Sequence, residues 1–167
     1  MGERPAAKTA TKEHGMFDRI LVPVDGSPTS DLGLETAIRL AQDQGATLHL
    51  LHVINERVIT QNLEGGAAEV GRLLDSLRAN GKQILARAEA ITRKQRVRVK
   101  SELIENIVRS VADVIVAQAK KARADLIVIG THGRRGVSRL VMGSDAEGVV
   151  RTTPVPVLLV RSRARPG

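Results

Sequence analysis

Cysteine is absent from the 167 residues. That excludes a disulfide framework, thiol chemistry and thiolate metal sites, and it fits a cytoplasmic, reducing home. Aromatic residues are almost absent as well: Phe17 stands alone, with no Trp and no Tyr. A surface that stacks unpaired bases needs several aromatic side chains, so single-stranded nucleic acid has no platform here. No apolar run approaches the roughly 18 residues that a membrane span requires. Residues 1–15, MGERPAAKTATKEHG, hold no apolar signal-peptide core and are expected to form a disordered tail or a cloning remnant. Catalytic pairings are scarce too. There is no GxSxG elbow, no Cys–His pair and no pair of carboxylates brought together by spacing. Ser27 stands near Asp25 without an obvious base. A catalyst is therefore weakly supported.

Positive charge is what the chain has in excess. Lys and Arg number 26 against 18 Asp and Glu, a formal net charge of +8. Such a field favours anionic partners without specifying a fold. The basic residues are scattered, and their densest run is Arg93, Lys94, Arg96, Arg98 and Lys100. A solvated basic surface is favoured over a nucleic-acid groove on this pattern. The four histidines are His14, His49, His52 and His132. His49 and His52 fall on opposite faces of one strand by their odd spacing, so they form no ligand pair. Without HExxH or a carboxylate cluster, a metal site built from protein ligands alone is not expected.

A chain of this length is most simply one domain with a sizeable core. Phe17 to Val24, FDRILVPV, reads as a buried strand ended by the turn sequence Asp25-Gly26-Ser27-Pro28. Thr29 or Ser30 can cap the helix that follows, whose apolar face is Leu34, Ala37, Ile38 and Ala41. Gly45 suits its stop. Thr47 to Ile54 is a second strand, and Asn55 to Gly66 a connecting loop. A long helix runs from about Ala67 to Arg93 on a stripe of Val70, Leu74, Leu77, Ile84, Ala88 and Ile91, with Gly81 an interior weak point. Val97 to Ile104 is a third strand. Val111, Val114, Ile115, Ala119 and Ala122 mark another helix. Asp125 to Ile129 is the fourth strand, a short helix follows Ser144, and Val155 to Val160 is the fifth strand before a flexible tail at 162–167. Continuous apolar strands alternating with helices describe an α/β fold. Its five-stranded, mostly parallel open sheet carries helices on both faces, in a Rossmann-like arrangement. Ligands of such sheets sit outside the carboxyl ends of the strands, at the switch point in strand order. Asp25 and Gly130 both follow strand ends and so share that rim.

The richest stretch is Asp125 to Arg151, DLIVIGTHGRRGVSRLVMGSDAEGVVR. A buried strand breaks into a loop carrying Gly130, Gly133 and Gly136, then re-enters a helix after Gly143 and Ser144. The spacing Gly130-x2-Gly133-x9-Gly143-Ser144 is neither GxxxxGK[ST] nor GxGxxG. It answers a similar physical need, because small residues let backbone N–H groups approach phosphates. Ser144 and Glu147, in SDAE, have the spacing of a capping box, and the helix dipole there favours an anion. The same glycines can equally serve turns. Asp25 can accept from a ribose hydroxyl or hold a phosphate-borne metal; alone, an Asx-turn role in DGSP is favoured. Arg134 and Arg135 can pair with phosphate or be solvated loop charges. His132 can approach phosphates or stay an exposed loop residue.

Four segments together resemble the universal stress protein family: FDRILVPVDGS at 17–27, LHLLHVI at 48–54, DLIVIGTHGRRGVSRLVMGS at 125–144 and TPVPVLLVR at 153–161. The resemblance spans residues 16–161, and the glycine-serine signature is that of the ATP-binding branch. It implies a Rossmann-like fold of the adenine nucleotide α-hydrolase kind and ATP as ligand, with or without Mg²⁺. Pro23, Val24 and Asp25 would line the adenosine pocket, with Asp25 on the ribose. Val53 would meet the adenine through its backbone. Gly130 would lie by the ribose, and Thr131, His132, Gly133, Arg134, Arg135 and Gly136 would wrap the phosphates. Gly143, Ser144 and Asp145 would complete the cradle. Asp145 departs from the small or apolar residue commoner in the family. A carboxylate beside phosphates calls for an intervening cation or for a side chain turned away. The resemblance further implies a cytoplasmic homodimer paired through the last strand, Val155 to Val160, and a regulatory role toward an unidentified protein partner. The alternatives are a slow ATP hydrolase on the same fold and, with less support, a nucleic-acid-associated protein.

Overall fold

The computed structural model describes residues 15–55, 66–106, 109–131 and 142–161. Strands and helices alternate throughout: β1 (Arg19–Pro23), α1 (Pro28–Gln44), β2 (Thr47–Asn55), α2 (Ala67–Lys94), β3 (Arg98–Asn106), α3 (Val111–Lys121), β4 (Leu126–Gly130), α4 (Ser144–Thr152) and β5 (Val157–Val160). The strand order is β3-β2-β1-β4-β5. Every neighbouring pair is parallel. The chain winds outward from β1 through β2 to β3, then returns to the other side of β1 for β4 and β5. The reversal falls between β1 and β4, where Ile20 pairs with Leu126 and Leu21 with Ile127.

The alternation of side chains explains the two-layer core. One face buries Ile20, Val22, Leu48, Leu50 and Val128 against Leu34, Ile38 and Leu85 of α1 and α2. The other buries Leu21, Leu51, Ile127 and Ile129 against Ile115 and Val149 of α3 and α4. Each such side chain contributes about 1.5–3 kcal/mol of burial. With both faces covered, the strands are apolar without interruption, as parallel strands are. No helix among the described residues is long and apolar enough to cross a membrane.

Element ends differ from the sequence expectation by one to three residues. β1 begins at Arg19 rather than Phe17, and β5 begins at Val157 rather than Val155. Pro154 and Pro156 have no N–H to donate, although the Pro156 carbonyl still accepts from Ile127 N–H at 2.9 Å. The cap of α1 is Ser27, not Thr29 or Ser30: its hydroxyl accepts from Ser30 N–H at 3.2 Å. Pro28 occupies the first helical position, where a missing N–H costs nothing. Gly45 closes the helix with φ 68°.

Candidate functional site

The rim beyond the carboxyl ends of β1, β2 and β4 gathers most of the described candidates. Pro23 ends β1. The Val24 N–H makes one more rung of the sheet, donating to Leu51 O at 2.8 Å. Asp25 follows, held on both sides: its N–H donates to Ser30 Oγ at 3.1 Å, and its Oδ1 accepts from Ser27 N–H at 2.9 Å. The Asx-turn geometry is therefore real, and it orients the carboxylate at the switch point. Ser27 is buried, and its hydroxyl accepts the cap bond from Ser30 N–H.

Gly130 ends β4 directly beside α1. A β-carbon there would stand 2.9 Å from both C and O of Thr29 and 3.2 Å from Ser30 N. Close approach of two backbones is thus one reason for this glycine. Thr131 N–H donates to Val160 O at 2.9 Å, and Thr131 O accepts from Gly143 N–H at 2.8 Å. The second bond brings the start of α4 back to the end of β4, beside β1 and Asp25. His132, Gly133, Arg134, Arg135 and Gly136 lie outside the described residues.

The capping box expected at Ser144 and Glu147 is not formed. Gly143 is the N-cap and Ser144 the first helical residue, so the pattern sits one position too far along. The cause is the Thr131–Gly143 bond, which holds Gly143 in an extended conformation, φ −62° and ψ 146°. A glycine N-cap has no side chain to cover the first N–H groups of the helix. Asp145 and Glu147 occupy the first turn, where they favour the positive end of the dipole. Asp145 is exposed.

Val53 lies two residues past the last β1–β2 pair, on the strand next to Asp25. It packs on the α3–α4 side of the core, together with Ile104, Val111 and Met142, all partly buried. The sequence points to Val53 as a site residue, gives Ile104 and Val111 a place only in their strand and helix, and leaves Met142 unassigned. Met142, immediately before Gly143, is the one that its position in the motif could have revealed. An open groove of about 430 Å³ between α3 and α4 adjoins this rim at Ser144 and is lined also by Asp113, Glu147, Ser110 and Arg151. Its carboxylates, Asp113 and Glu147, outnumber its one cation, Arg151, which disfavours a phosphate. Among the described residues no group of three His, Asp or Glu could hold a metal ion.

An open, doubly wound sheet with a capped turn and an uncapped helix start at its switch point defines an α/β protein of the kind that takes ligands on this rim. The profile of the universal stress protein family matches residues 16–161, and the chain belongs to that family. Universal stress protein MJ0531 of Methanocaldococcus jannaschii is 30% identical over 146 residues, covering 87% of this chain and 83% of its own. The structure of MJ0577 from the same organism superimposes with a TM-score of 0.79 at 25% identity, over 90% of this chain and 99% of that one. An Archaeoglobus fulgidus universal stress protein in complex with dAMP superimposes with a TM-score of 0.64 at 27% identity, over 86% and 97%.

Proposed function

We propose that this protein binds ATP on the β1–β4 rim and acts as a dimeric, nucleotide-dependent regulatory module. The observation that carries the reading is the Gly143–Thr131 bond, which returns the start of α4 to the switch point opposite Asp25. The identity of residue 143 supports it. Its φ of −62° and ψ of 146° are open to any residue, so backbone conformation does not call for glycine there. A glycine at this helix start is what close approach of a ligand to the backbone would use. The dAMP complex of the Archaeoglobus relative is consistent with an adenine nucleotide as that ligand.

On this reading Asp25 accepts from the ribose, and Pro23, Val24 and Val53 flank the adenosine. Ile104 and Met142 extend the apolar wall. Thr131 through Gly136 wrap the phosphates, and Gly143, Ser144 and Asp145 complete the cradle. Asp145 beside a phosphate favours binding with Mg²⁺, which would screen the two negative charges. The dimer forms through β5, where Leu158 and Leu159 are each 37% exposed beside β4, the only strand they pair with among the described residues. The cysteine-free composition suits a cytoplasmic setting.

Calorimetric titration with ATP, with and without Mg²⁺, tests the assignment on the wild type and Gly143→Val. The variant, shown folded by circular dichroism, should lose at least tenfold in affinity, about 1.4 kcal/mol. Equal affinities would remove Gly143 and the start of α4 from the site.

A further inference from the structure

Resting on the nucleotide-binding reading, we propose that His52 is a positioning residue for that site. Seated under α2, it fixes the peptide group that presents Asp25. His52 lies on the α1–α2 side of β2 and is 6% exposed. Its Nδ1 is 2.6 Å from the Val24 carbonyl oxygen. A carbonyl only accepts, so Nδ1 carries the hydrogen and the tautomer is set. The N–H on the other side of the same peptide, that of Asp25, donates to Ser30 Oγ at 3.1 Å. Both polar groups of the Val24–Asp25 peptide are thus held by side chains, one from β2 and one from α1. The plane of that peptide sets where the Asp25 carboxylate starts, and ligand groups must be placed to within about 0.5 Å to act.

The seat of the imidazole is built from the other side by Gly81, in the middle of α2. A β-carbon at 81 would stand 2.8 Å from His52 Cδ2, 3.3 Å from its Nε2 and 2.8 Å from Leu103 Cδ1. Glycine in a helix interior costs stability relative to alanine. Here it lets the helix pass directly over a buried ring that cannot retreat without giving up the Val24 bond. Gly81, His52, Val24 and Asp25 form one mechanical line from the helix to the rim.

The test compares His52→Leu, which keeps bulk and loses the donor, with His52→Asn, whose side-chain N–H can take the place of Nδ1–H. ATP affinity is measured by calorimetry in each, and again in an Asp25→Ala background. His52→Leu should weaken ATP about tenfold, His52→Asn should restore most of that, and His52→Leu should add little once Asp25 is gone. Gly81→Ala, which presses on the same ring with His52 intact, should weaken ATP in the same direction. It serves as the second variant should His52→Leu not fold. Nitrogen-15 shifts of the His52 ring in the wild type should report the Nδ1–H tautomer. Unchanged affinity in His52→Leu, losses additive with Asp25→Ala, or an Nε2–H tautomer would overturn the role of His52. No ATP binding by the wild type would instead contradict the functional reading, and this inference with it.

Discussion

At position 130 one hydrogen in place of a methyl group sets how closely β4 meets α1. The contact distances of 2.9 Å to Thr29 backbone atoms cannot be relieved by a side-chain rotation, because C and O of a helix turn would have to move. Gly130→Ala should therefore destabilise the protein by about 1–3 kcal/mol in urea denaturation. Gly133 and Gly143 matched Gly130 in the sequence pattern, and the spacing could not separate a glycine needed by packing from one needed by a ligand. That distinction rests on backbone angles and through-space neighbours, which no local pattern carries. His49 makes a second residue-scale test. Burial, then the charges of Lys100 and Arg19, push its imidazole pKa down, with Glu102 opposing. The unfolded chain then takes up the proton first. The stability contribution is complete above the unfolded pKa, about 6.5, and is lost as pH falls below it. His49→Gln should flatten the acid-side fall in melting temperature between about pH 7 and pH 5. An unchanged slope would show that other groups govern it.

Among the elements, strands and helices were legible because their periods are long-range averages of hydrophobicity. Their ends were not. Ser27, Thr29 and Ser30 are all competent caps, and Pro28 decides among them by taking the first helical position. SDAE satisfies the capping-box spacing, yet the tether from Gly143 to Thr131 starts the helix one residue earlier than that pattern requires. Gly81 read as a weak point in α2, and the ring of His52 beneath it supplies the reason. At β5 the edge is short, four residues, and apolar. Exposed edges of this kind invite a second strand. Sedimentation of the wild type should give a dimer, and Leu158→Arg should weaken self-association by roughly tenfold or more, about 1.4 kcal/mol. A wild-type monomer at high concentration would exclude pairing through β5.

For the molecule as a whole, the parallel sheet and the reversal between β1 and β4 place Asp25, Val53, Gly130 and Gly143 on one rim, although up to 118 positions of sequence separate them. Strand–helix alternation was enough to put Asp25 and Gly130 on the same side of the sheet. Their adjacency, by contrast, depends on the strand order, which alternation does not determine. The basic side chains are spread across this frame, and some of them sit in exposed ion pairs such as Arg78–Glu105 and Lys121–Glu102. Such pairs contribute little to stability. The central claim is the location of the nucleotide, and amide chemical-shift mapping during an ATP titration addresses it most directly. The account predicts shifts concentrated at Val24, Asp25, Val53, Thr131, Gly143 and Ser144, with Ala46, Val97 and Ala124 at the opposite rim unmoved. Shifts confined to that opposite rim, or to Ser110, Asp113 and Thr152 in the groove between α3 and α4, would contradict it.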